Sequence, residues 1–354
     1  MLKKIAIIFC CAILILVALL ALILSIFEYR PKPIEDVPYK TGNSFFQKDG
    51  IHSLVSWNIG YAGLGKQSDF FLSGGKNVRP SKKLSYEYFE GIKNSLKDIS
   101  SEIIFLQEAD IKAHRSYNVN QVEEVEKALN VNGSFAHSYK CIFVPFPLPP
   151  IGKVESGVAT FSNYVIESSK RHSLPVLFKW PFRTANLKRC FLATRIPVYD
   201  GETATGKYLV LVNFHLEAFD NGQAKIEQTK KLMGYLVWEY EQGNYVIAGG
   251  DFNQSFPGAK EIPFVGPEKW LPGKLEKSSL QVGWDYCYDD SVPSCRSTYA
   301  PYIGEKAKNH DWQYYLIDGY IKSPNVKVTK VKTIDNDFVY SDHNPIYLEF
   351  SLQE

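Results

Sequence analysis

The stretch Val246-Ile247-Ala248-Gly249-Gly250-Asp251-Phe252-Asn253-Gln254 decides how the rest of the chain is interpreted. An apolar, β-prone run ends in two glycines, which let the backbone turn tightly and let another group approach closely. Asp251 and Asn253 follow at i and i+2, so both side chains of an extended segment face one cleft. A carboxylate beside a carboxamide can hold and deprotonate a water molecule. Taken alone, these residues are more typical of a strand that ends in an Asx turn.

The composition is that of a globular protein. The chain has 354 residues, of which 45% are hydrophobic and 22% charged, enough to fill a large core. Its formal net charge of +2 argues against binding nucleic acid through bulk charge alone. Aromatic residues make up 14% and favour a sheet-rich fold.

The N-terminal segment indicates a membrane anchor. Residues 5–27 carry no charge and, as a helix, would extend roughly 34 Å, enough to cross a bilayer. The run is longer than the apolar core of most signal peptides, and Ser25-Ile26-Phe27-Glu28 is a poor cleavage site. Cleavage followed by secretion is the alternative. We predict a cytoplasmic N-terminus (1–4), a single-pass transmembrane signal anchor in the cell membrane (5–27), a linker (28–48) and an extracytoplasmic folded domain (49–354).

Hydrophobic periodicity predicts a domain that mixes strands and helices without strict alternation. This favours a mixed or antiparallel α/β sandwich over a parallel doubly wound sheet. Glu217, Asp220 and Asn221 are candidates to cap the third helix. The predicted helices are 86–99, 121–129 and 224–240, the proline-rich segment 143–150 is an apolar loop, residues 255–300 are loop-rich, and the strands are 51–57, 103–107, 157–161, 189–196, 208–215, 246–250, 316–321, 326–331 and 346–350.

The cysteines beyond the anchor leave two alternatives open. Cys287 and Cys295 are close enough in sequence to close a small loop in an oxidising compartment. Reduced, partly buried thiols are equally compatible with the sequence.

Polar side chains recur where predicted strands end or begin. One such residue is typical of a turn, but their repetition indicates a ligand site at one edge of the sheets. Carboxylates and amides without thiolates suit Mg²⁺, with Mn²⁺ as the alternative, and two histidines can handle protons near neutral pH. This chemistry fits hydrolysis of a phosphate ester. The residues are Asn58, Glu108, His215, Asp251, Asn253, Asp318, Asp342 and His343.

The motifs around these positions resemble the endonuclease/exonuclease/phosphatase superfamily, in particular its deoxyribonuclease I-like and sphingomyelinase-like branch. The resemblance covers roughly residues 50–352. It implies an α/β (α+β) four-layer sandwich of two mixed β-sheets flanked by helices, and Mg²⁺-dependent cleavage of phosphodiesters or phosphomonoesters. The motifs are Ser56-Trp57-Asn58-Ile59-Gly60, Leu106-Gln107-Glu108, Asn213-Phe214-His215-Leu216, Gly250-Asp251-Phe252-Asn253, Ile317-Asp318 and Ser341-Asp342-His343.

The resemblance also implies which residues hold the metal. Glu108 is expected to be the main ligand, with Asn58 nearby and Asp342 as the second metal-side carboxylate. Gly60 stands where repair members of the family often carry an acid, so a second metal site there is not supported.

The remaining residues are expected to perform the chemistry. Asp251 would orient or deprotonate the attacking water beside Asn253, and Asp318 would hold His343 against the scissile phosphate. His215 occupies a position where this branch has histidine and the apurinic-endonuclease branch has tyrosine. Because His343 directly follows a predicted metal ligand, both can serve one site only if the chain bends there.

The substrate stays open at this stage. Arg183 and Arg189, in a basic stretch, are weak candidates to bind its phosphate, and a solvated face is at least as compatible. A lipid headgroup, a nucleic acid or a small phosphodiester would each fit, with the membrane contacted through the N-terminal helix. An anchor beside the apolar loop 143–150 favours the lipid, and an extracellular nuclease is the main rival. No obligate protein partner is indicated, and a non-catalytic binding module is the alternative from another class.

Overall fold

A computed structural model describes residues 1–219, 222–267, 270–309 and 311–353. The helices are α1 (Leu2–Ile26), α2 (Lys82–Ile99), α3 (Gln121–Leu129), α4 (Gln223–Glu241) and α5 (Glu305–Lys308). The strands are β1 (Ile34–Asp36), β2 (Phe46–Gln47), β3 (His52–Asn58), β4 (Ile103–Asp110), β5 (Asn132–Val144), β6 (Gly152–Ser162), β7 (Ser168–Ser173), β8 (Cys190–Asp200), β9 (Thr203–His215), β10 (Tyr245–Asp251), β11 (Gln254–Ser255), β12 (Gly273–Lys274), β13 (Asp285–Cys287), β14 (Cys295–Arg296), β15 (Tyr314–Tyr315), β16 (Asp318–Lys322), β17 (Val326–Thr333) and β18 (Ile346–Leu352).

Two mixed sheets form the centre of the domain. Sheet A has eight strands, in the order β1-β7-β8-β9-β10-β16-β13 with β2 beside β8, and sheet B has six, in the order β17-β18-β3-β4-β6-β5. Their inner faces share one core, which includes Leu54, Phe105, Leu211 and Ile247. Helix α4 covers the outer face of sheet A, and α2 with α3 covers that of sheet B. The predicted four-layer fold is thereby confirmed.

The three predicted helices form within a few residues of their expected limits. Helix α2 begins after Ser81, whose Oγ accepts a hydrogen bond from the Leu84 N–H, and α3 begins after Asn120, whose side chain accepts from the Glu123 N–H. Of the capping residues predicted for α4, Asp220 and Asn221 lie outside the described residues.

Strand β5 was not predicted. Its sequence mixes glycine, serine and histidine with apolar residues, so its β-propensity is low. Antiparallel pairing with β6 along almost its whole length holds it in the sheet. The proline-rich segment that follows forms the loop between these two strands, with Phe146 and Leu148 exposed.

The segment predicted as a linker, 28–48, lies along sheet A. Strand β1 pairs with β7, and β2 pairs with β8 so that Phe46 lies opposite Val198. Phe46 is fully buried in the core between the sheets. A single buried aromatic side chain among polar residues gives no periodic signal, which is why the sequence suggested a spacer.

Cys287 and Cys295 are both buried, and within the described residues both thiols are free. They lie in different apolar clusters, the first between the sheets and the second beside Tyr315 and Ile317. Of the two alternatives, the structure contains the reduced thiols.

A buried asparagine joins the two sheets by hydrogen bonds. Asn213 of β9 donates through Nδ2 to the carbonyl oxygens of Leu106 (3.2 Å) and Ala159 (2.8 Å) in sheet B. Its Oδ1 accepts from Gln107 Nε2 at 2.7 Å, and the same Nε2 lies 3.1 Å from Ser56 Oγ. These bonds fix the end of β9 against the end of β4.

Replacing Asn213 with leucine should lower the free energy of unfolding by about 2–4 kcal/mol, because Gln107 and two carbonyl groups lose buried partners. Urea unfolding of the full chain in detergent micelles measures the change. Asn132→Leu, in β5 and only partly buried, is the matched control and should change stability by about 0.5 kcal/mol or less. Equal stability of the two variants would contradict the role of Asn213.

Candidate active site

Three of the predicted site residues lie side by side because their strands are neighbours. In the middle strand, β10, Asp251 is in register with His215 of the parallel β9 and with Asp318 of the antiparallel β16. All three side chains are buried. Strand pairing therefore brings together residues that are far apart in sequence.

Glu108 enters the site through an irregularity in β4. The pairing of β4 with β6 shifts register between Leu106 and Ala109, and Glu108 has a φ of +54°. Such a left-handed residue turns the strand out of its regular pleat. The Glu108 carboxylate accepts a hydrogen bond from Asn58 Nδ2 at 3.4 Å, and its side chain lines the cleft.

His343 is held in place from several sides. Its Nδ1 lies 2.8 Å from Asp318 Oδ2, and Ser294 Oγ donates to the same oxygen at 2.8 Å. The indole Nε1 of Trp57 donates to the His343 carbonyl oxygen at 2.8 Å. The other ring nitrogen, Nε2, lies 3.8 Å from Asp251 Oδ2.

The pKa values of the two histidines are shifted in opposite directions. Burial alone would lower the pKa of His343, but the charge of Asp318 outweighs it and holds the pKa well above its ordinary value. Burial, together with Arg189 and His343, holds the pKa of His215 well below its ordinary value. These shifts favour the imidazolium form of His343 and the neutral imidazole form of His215. Burial, reinforced by the charge of Asp318, raises the pKa of Asp251.

Asp342 and His343 both line the cleft although they are adjacent in sequence. They lie in an irregular segment before β18, where Ser341 Oγ donates to the Asn58 carbonyl oxygen at 2.8 Å. The bend that the sequence required is present. Gly60, at a φ of +49°, completes this corner: a Cβ there would lie 3.0 Å from Asp342 Oδ1, so the carboxylate occupies the space that a side chain would need.

The oxygen ligands at this corner fit a divalent cation. Burial raises the pKa of Asp342, the charge of His343 opposes this rise, and the charge of Glu108 adds to it. The resulting pKa is about 6. A cation between Glu108 and Asp342 would relieve this repulsion, and carboxylates suit Mg²⁺. Asn58 lies beside this pair: its Oδ1 accepts from the Gly60 N–H at 3.1 Å, and its Nδ2 donates to Asp251 Oδ2 at 3.1 Å. Its role as a metal ligand stays a prediction.

A second metal-capable group consists of Asp251, Asp318 and His343, whose ligand atoms lie within 4.8 Å of one another. The direct contact between Asp318 and His343 accounts for this closeness. Asp318 Oδ2 already contacts His343 Nδ1 and Ser294 Oγ, each at 2.8 Å, so a cation bound there would compete with two hydrogen bonds.

Of the two candidate phosphate-binding arginines, only Arg189 reaches the cleft. Arg189 is buried, and its Nε lies 3.9 Å from Glu217 Oε2. Neither its Nε nor its Nη1 hydrogen-bonds to any residue that the structure describes. Arg183 lies outside the cleft lining, where its Nε is 3.3 Å from Glu28 Oε1 in the segment that leaves α1.

Sequence reasoning missed several residues of the site. Ser294 and Arg296 come from the loop-rich region, where no pattern marks them. Arg296 is buried beside the cleft and donates to the carbonyl oxygens of Leu64 (2.9 Å) and Gly65 (3.0 Å). Tyr61 and Arg115 stack at 3.8 Å on another wall of the cleft. These residues are defined by tertiary contacts, so no local signal identifies them.

One protein family and several solved structures are similar to this chain. The model of the Endonuclease/Exonuclease/phosphatase family matches residues 55–343. No curated protein sequence matches the chain significantly.

Solved structures share the fold at low sequence identity. A Beutenbergia cavernae endonuclease/exonuclease/phosphatase is 13% identical, with 86% of this chain and 72% of that chain covered and a TM-score of 0.57. A Bacteroides vulgatus endonuclease/exonuclease/phosphatase is 16% identical, with 86% and 100% covered and a TM-score of 0.56. The human nocturnin catalytic domain is 17% identical, with 86% and 95% covered and a TM-score of 0.51.

Replacing Asp318 with asparagine should lower the pKa of His343, because burial of the imidazolium is then no longer offset by a neighbouring negative charge. NMR titration of the full chain in micelles, with isotope-labelled histidine, measures the change. Asp285→Asn, on the neighbouring strand β13, is the control and should leave the titration of His343 unaltered. An unchanged His343 pKa in Asp318→Asn would contradict the assigned ion pair.

Proposed function

The chain belongs to the endonuclease/exonuclease/phosphatase family, and on that premise we propose that it is a divalent-metal-dependent phosphoesterase in which water attacks a phosphodiester. Members of the family hydrolyse phosphate esters as nucleases, phosphodiesterases and phosphatases, so the predicted enzyme class is confirmed at that level. The observation that supports the finer proposal is the register of His215, Asp251 and Asp318 on adjacent strands, beside a cleft that Glu108 and His343 also line.

Glu108 and Asp342 are the proposed ligands of Mg²⁺, with Mn²⁺ as the alternative. When bound, the ion offsets phosphate charge and lowers the pKa of water. Asn58 orients Glu108 through its hydrogen bond and links it to Asp251.

Asp251 is the proposed acceptor of the proton from the attacking water. Its raised pKa makes it a stronger base than an ordinary carboxylate. The Asn253 N–H donates to Asp251 Oδ1 at 2.8 Å, and His215 Nε2 lies 3.3 Å from Oδ2, so the carboxylate is held from both ends. Asn253 has a φ of +52° and donates through Nδ2 to the Leu216 carbonyl oxygen, which fixes its side chain at the cleft wall.

His343 and Arg189 are the proposed partners of the phosphate. The imidazolium of His343, held by Asp318, stabilises negative charge that grows on the phosphoryl oxygens in the transition state. The unpaired N–H groups of Arg189 are strong donors for a phosphate oxygen.

We further propose that the domain is extracytoplasmic and anchored in the cell membrane, as the predicted boundaries describe. Helix α1 supports this because it has 25 residues and contains an 18-residue window with a mean hydropathy of 3.5, long and apolar enough to span a bilayer. A signal sequence can have the same features. Detection of the full-length, uncleaved chain in isolated membranes distinguishes the two.

The full-length protein in detergent micelles should hydrolyse bis(p-nitrophenyl) phosphate when Mg²⁺ or Mn²⁺ is added, as measured by release of p-nitrophenolate. Asp251→Asn should lower kcat by about 10²- to 10⁴-fold, because an amide cannot accept the proton. Arg189→Ala should lower kcat/KM by about 10- to 100-fold, the contribution of hydrogen bonds to a charged group.

Arg183→Ala is the matched control for Arg189→Ala, because it removes the same kind of side chain from outside the cleft, where the Arg183 side chain is 46% exposed, and it should change kcat/KM by about twofold at most. Absence of hydrolysis with either ion, or full activity of Asp251→Asn, would refute the proposed function.

A further inference from the structure

Exposed apolar side chains surround the opening of the cleft. The cleft has a volume of about 620 Å³, and its mouth is lined by Leu72, Phe146, Phe182 and Phe219, which we call the apolar rim. Phe146 is 65% exposed and Phe182 75% exposed, although large aromatic side chains are normally covered. A phosphate site that served only small, hydrophilic diesters would not need such a border.

The apolar rim is contributed by separate segments of the chain. Phe146 comes from the loop between β5 and β6, and Phe182 from a short 3₁₀ turn, Phe182–Ala185. The rings of Phe71 and Phe146 meet edge to face at 5.7 Å, which ties two of these segments together. Leu148, on the same loop as Phe146, is 90% exposed. The apolar rim is therefore formed by several segments of the folded domain and not by one isolated side chain.

Helix α1 forms the remaining wall of the same cleft. Val17, Leu20 and Leu24 line it, and Leu24 is buried in a cluster with domain residues that include Val144. The end of α1 is fastened to the domain. Trp180 Nε1 donates to Ser25 Oγ at 3.0 Å, and Lys188 Nζ lies 3.1 Å from Glu28 Oε1.

The position of Val17 along α1 shows how deep the cleft wall would lie in a membrane that α1 spans. Val17 precedes Ile26 by nine residues, which corresponds to roughly 14 Å of helix at about 1.5 Å per residue. The hydrocarbon core of a bilayer is about 30 Å thick, so when α1 spans the membrane the cleft wall from Leu24 to Val17 extends from the boundary of this core to near its middle. Amphipathic surfaces bury about 5–10 Å into this region, and tryptophan prefers its boundary, where Trp180 lies beside Ser25.

We propose that the apolar rim inserts into the outer leaflet beside α1 and that the substrate is a phosphodiester lipid of the bilayer. This inference rests on the proposed function and adds the substrate class. The hydrocarbon chains would stay against the apolar rim and α1 while the phosphate reaches Asp251 and His343. The water oxygen bonds to phosphorus, its proton passes to Asp251, and one phosphorus–oxygen ester bond breaks. The leaving oxygen takes a proton from solvent and Asp251 returns its proton to solvent, which yields an alcohol and a phosphate monoester.

Paired assays of the full-length protein test the inference. Vesicles of phosphatidylcholine, phosphatidylethanolamine and phosphatidylglycerol, with Mg²⁺, report lipid hydrolysis by ³¹P NMR, and bis(p-nitrophenyl) phosphate reports hydrolysis of a soluble diester. Phe146→Ser and Phe182→Ser should lower the lipid rate by about tenfold or more and leave the soluble rate within about twofold. Val282→Ser is the control, because Val282 is fully exposed and precedes Gly283, where an added Cβ would lie 3.0 Å from Pro324 at the other end of sheet A.

Quenching of tryptophan fluorescence by dibrominated phosphatidylcholine gives a readout that does not depend on activity. The difference between the wild type and Trp180→Phe isolates Trp180, and we expect strong quenching of this component. An unquenched Trp180, equal lipid rates in the rim variants and the wild type, or hydrolysis of the soluble diester without hydrolysis of vesicle lipids would each overturn the inference and leave the proposed function standing. Absence of hydrolysis of both substrates would refute the proposed function and the inference with it.

Discussion

The buried hydrogen bonds of Asn213 hold the two halves of the site together. Asn213 lies two residues before His215 on one sheet, and its partner Gln107 immediately precedes Glu108 on the other. An amide left unpaired in this interior would cost about 1–3 kcal/mol, so the sheets cannot slide past each other at this level without losing stability. The offset of the strands is thereby fixed, and His215 Nδ1 lies 3.9 Å from Glu108 Oε1 across the boundary.

Burial then sets the protonation states within this frame. Removal from water disfavours every charge in the cleft, so a charge persists only where a partner opposes the loss of solvent. His343 has such a partner in Asp318, which Ser294 also supports by a hydrogen bond. At His215, the positive charges of Arg189 and His343 add to the effect of burial, and they hold its pKa well below the ordinary value. The same chemical group therefore serves as a cation at one position and as a neutral hydrogen-bonding group at the other.

The sequence was sufficient to predict helices with a regular apolar period and site residues that lie at strand ends. Apolar periodicity located α2, α3 and α4, and polar residues at strand ends identified Asp251, His215 and Asp318 before their registry was known. The sequence was insufficient where contacts between distant parts of the chain determine the structure or the role of a residue. Strand β5 forms because β6 pairs with it, Ser294 matters because Asp318 faces it, and Phe46 anchors a segment that looked like a spacer. Tertiary contact also distinguishes Arg183 from Arg189, although both lie in one basic stretch of the sequence. Arg183 pairs with Glu28 outside the cleft.

Direct attack of water on phosphorus is the central chemical claim, and the stereochemical course of hydrolysis tests it most directly. The full-length enzyme would be given a single diastereomer of a phosphorothioate diester in ¹⁸O-labelled water with Mg²⁺. A single displacement by water activated at Asp251 predicts inversion of configuration at phosphorus. Retention would require a covalent intermediate on the protein, for example at His215 or His343, and would contradict the assignment.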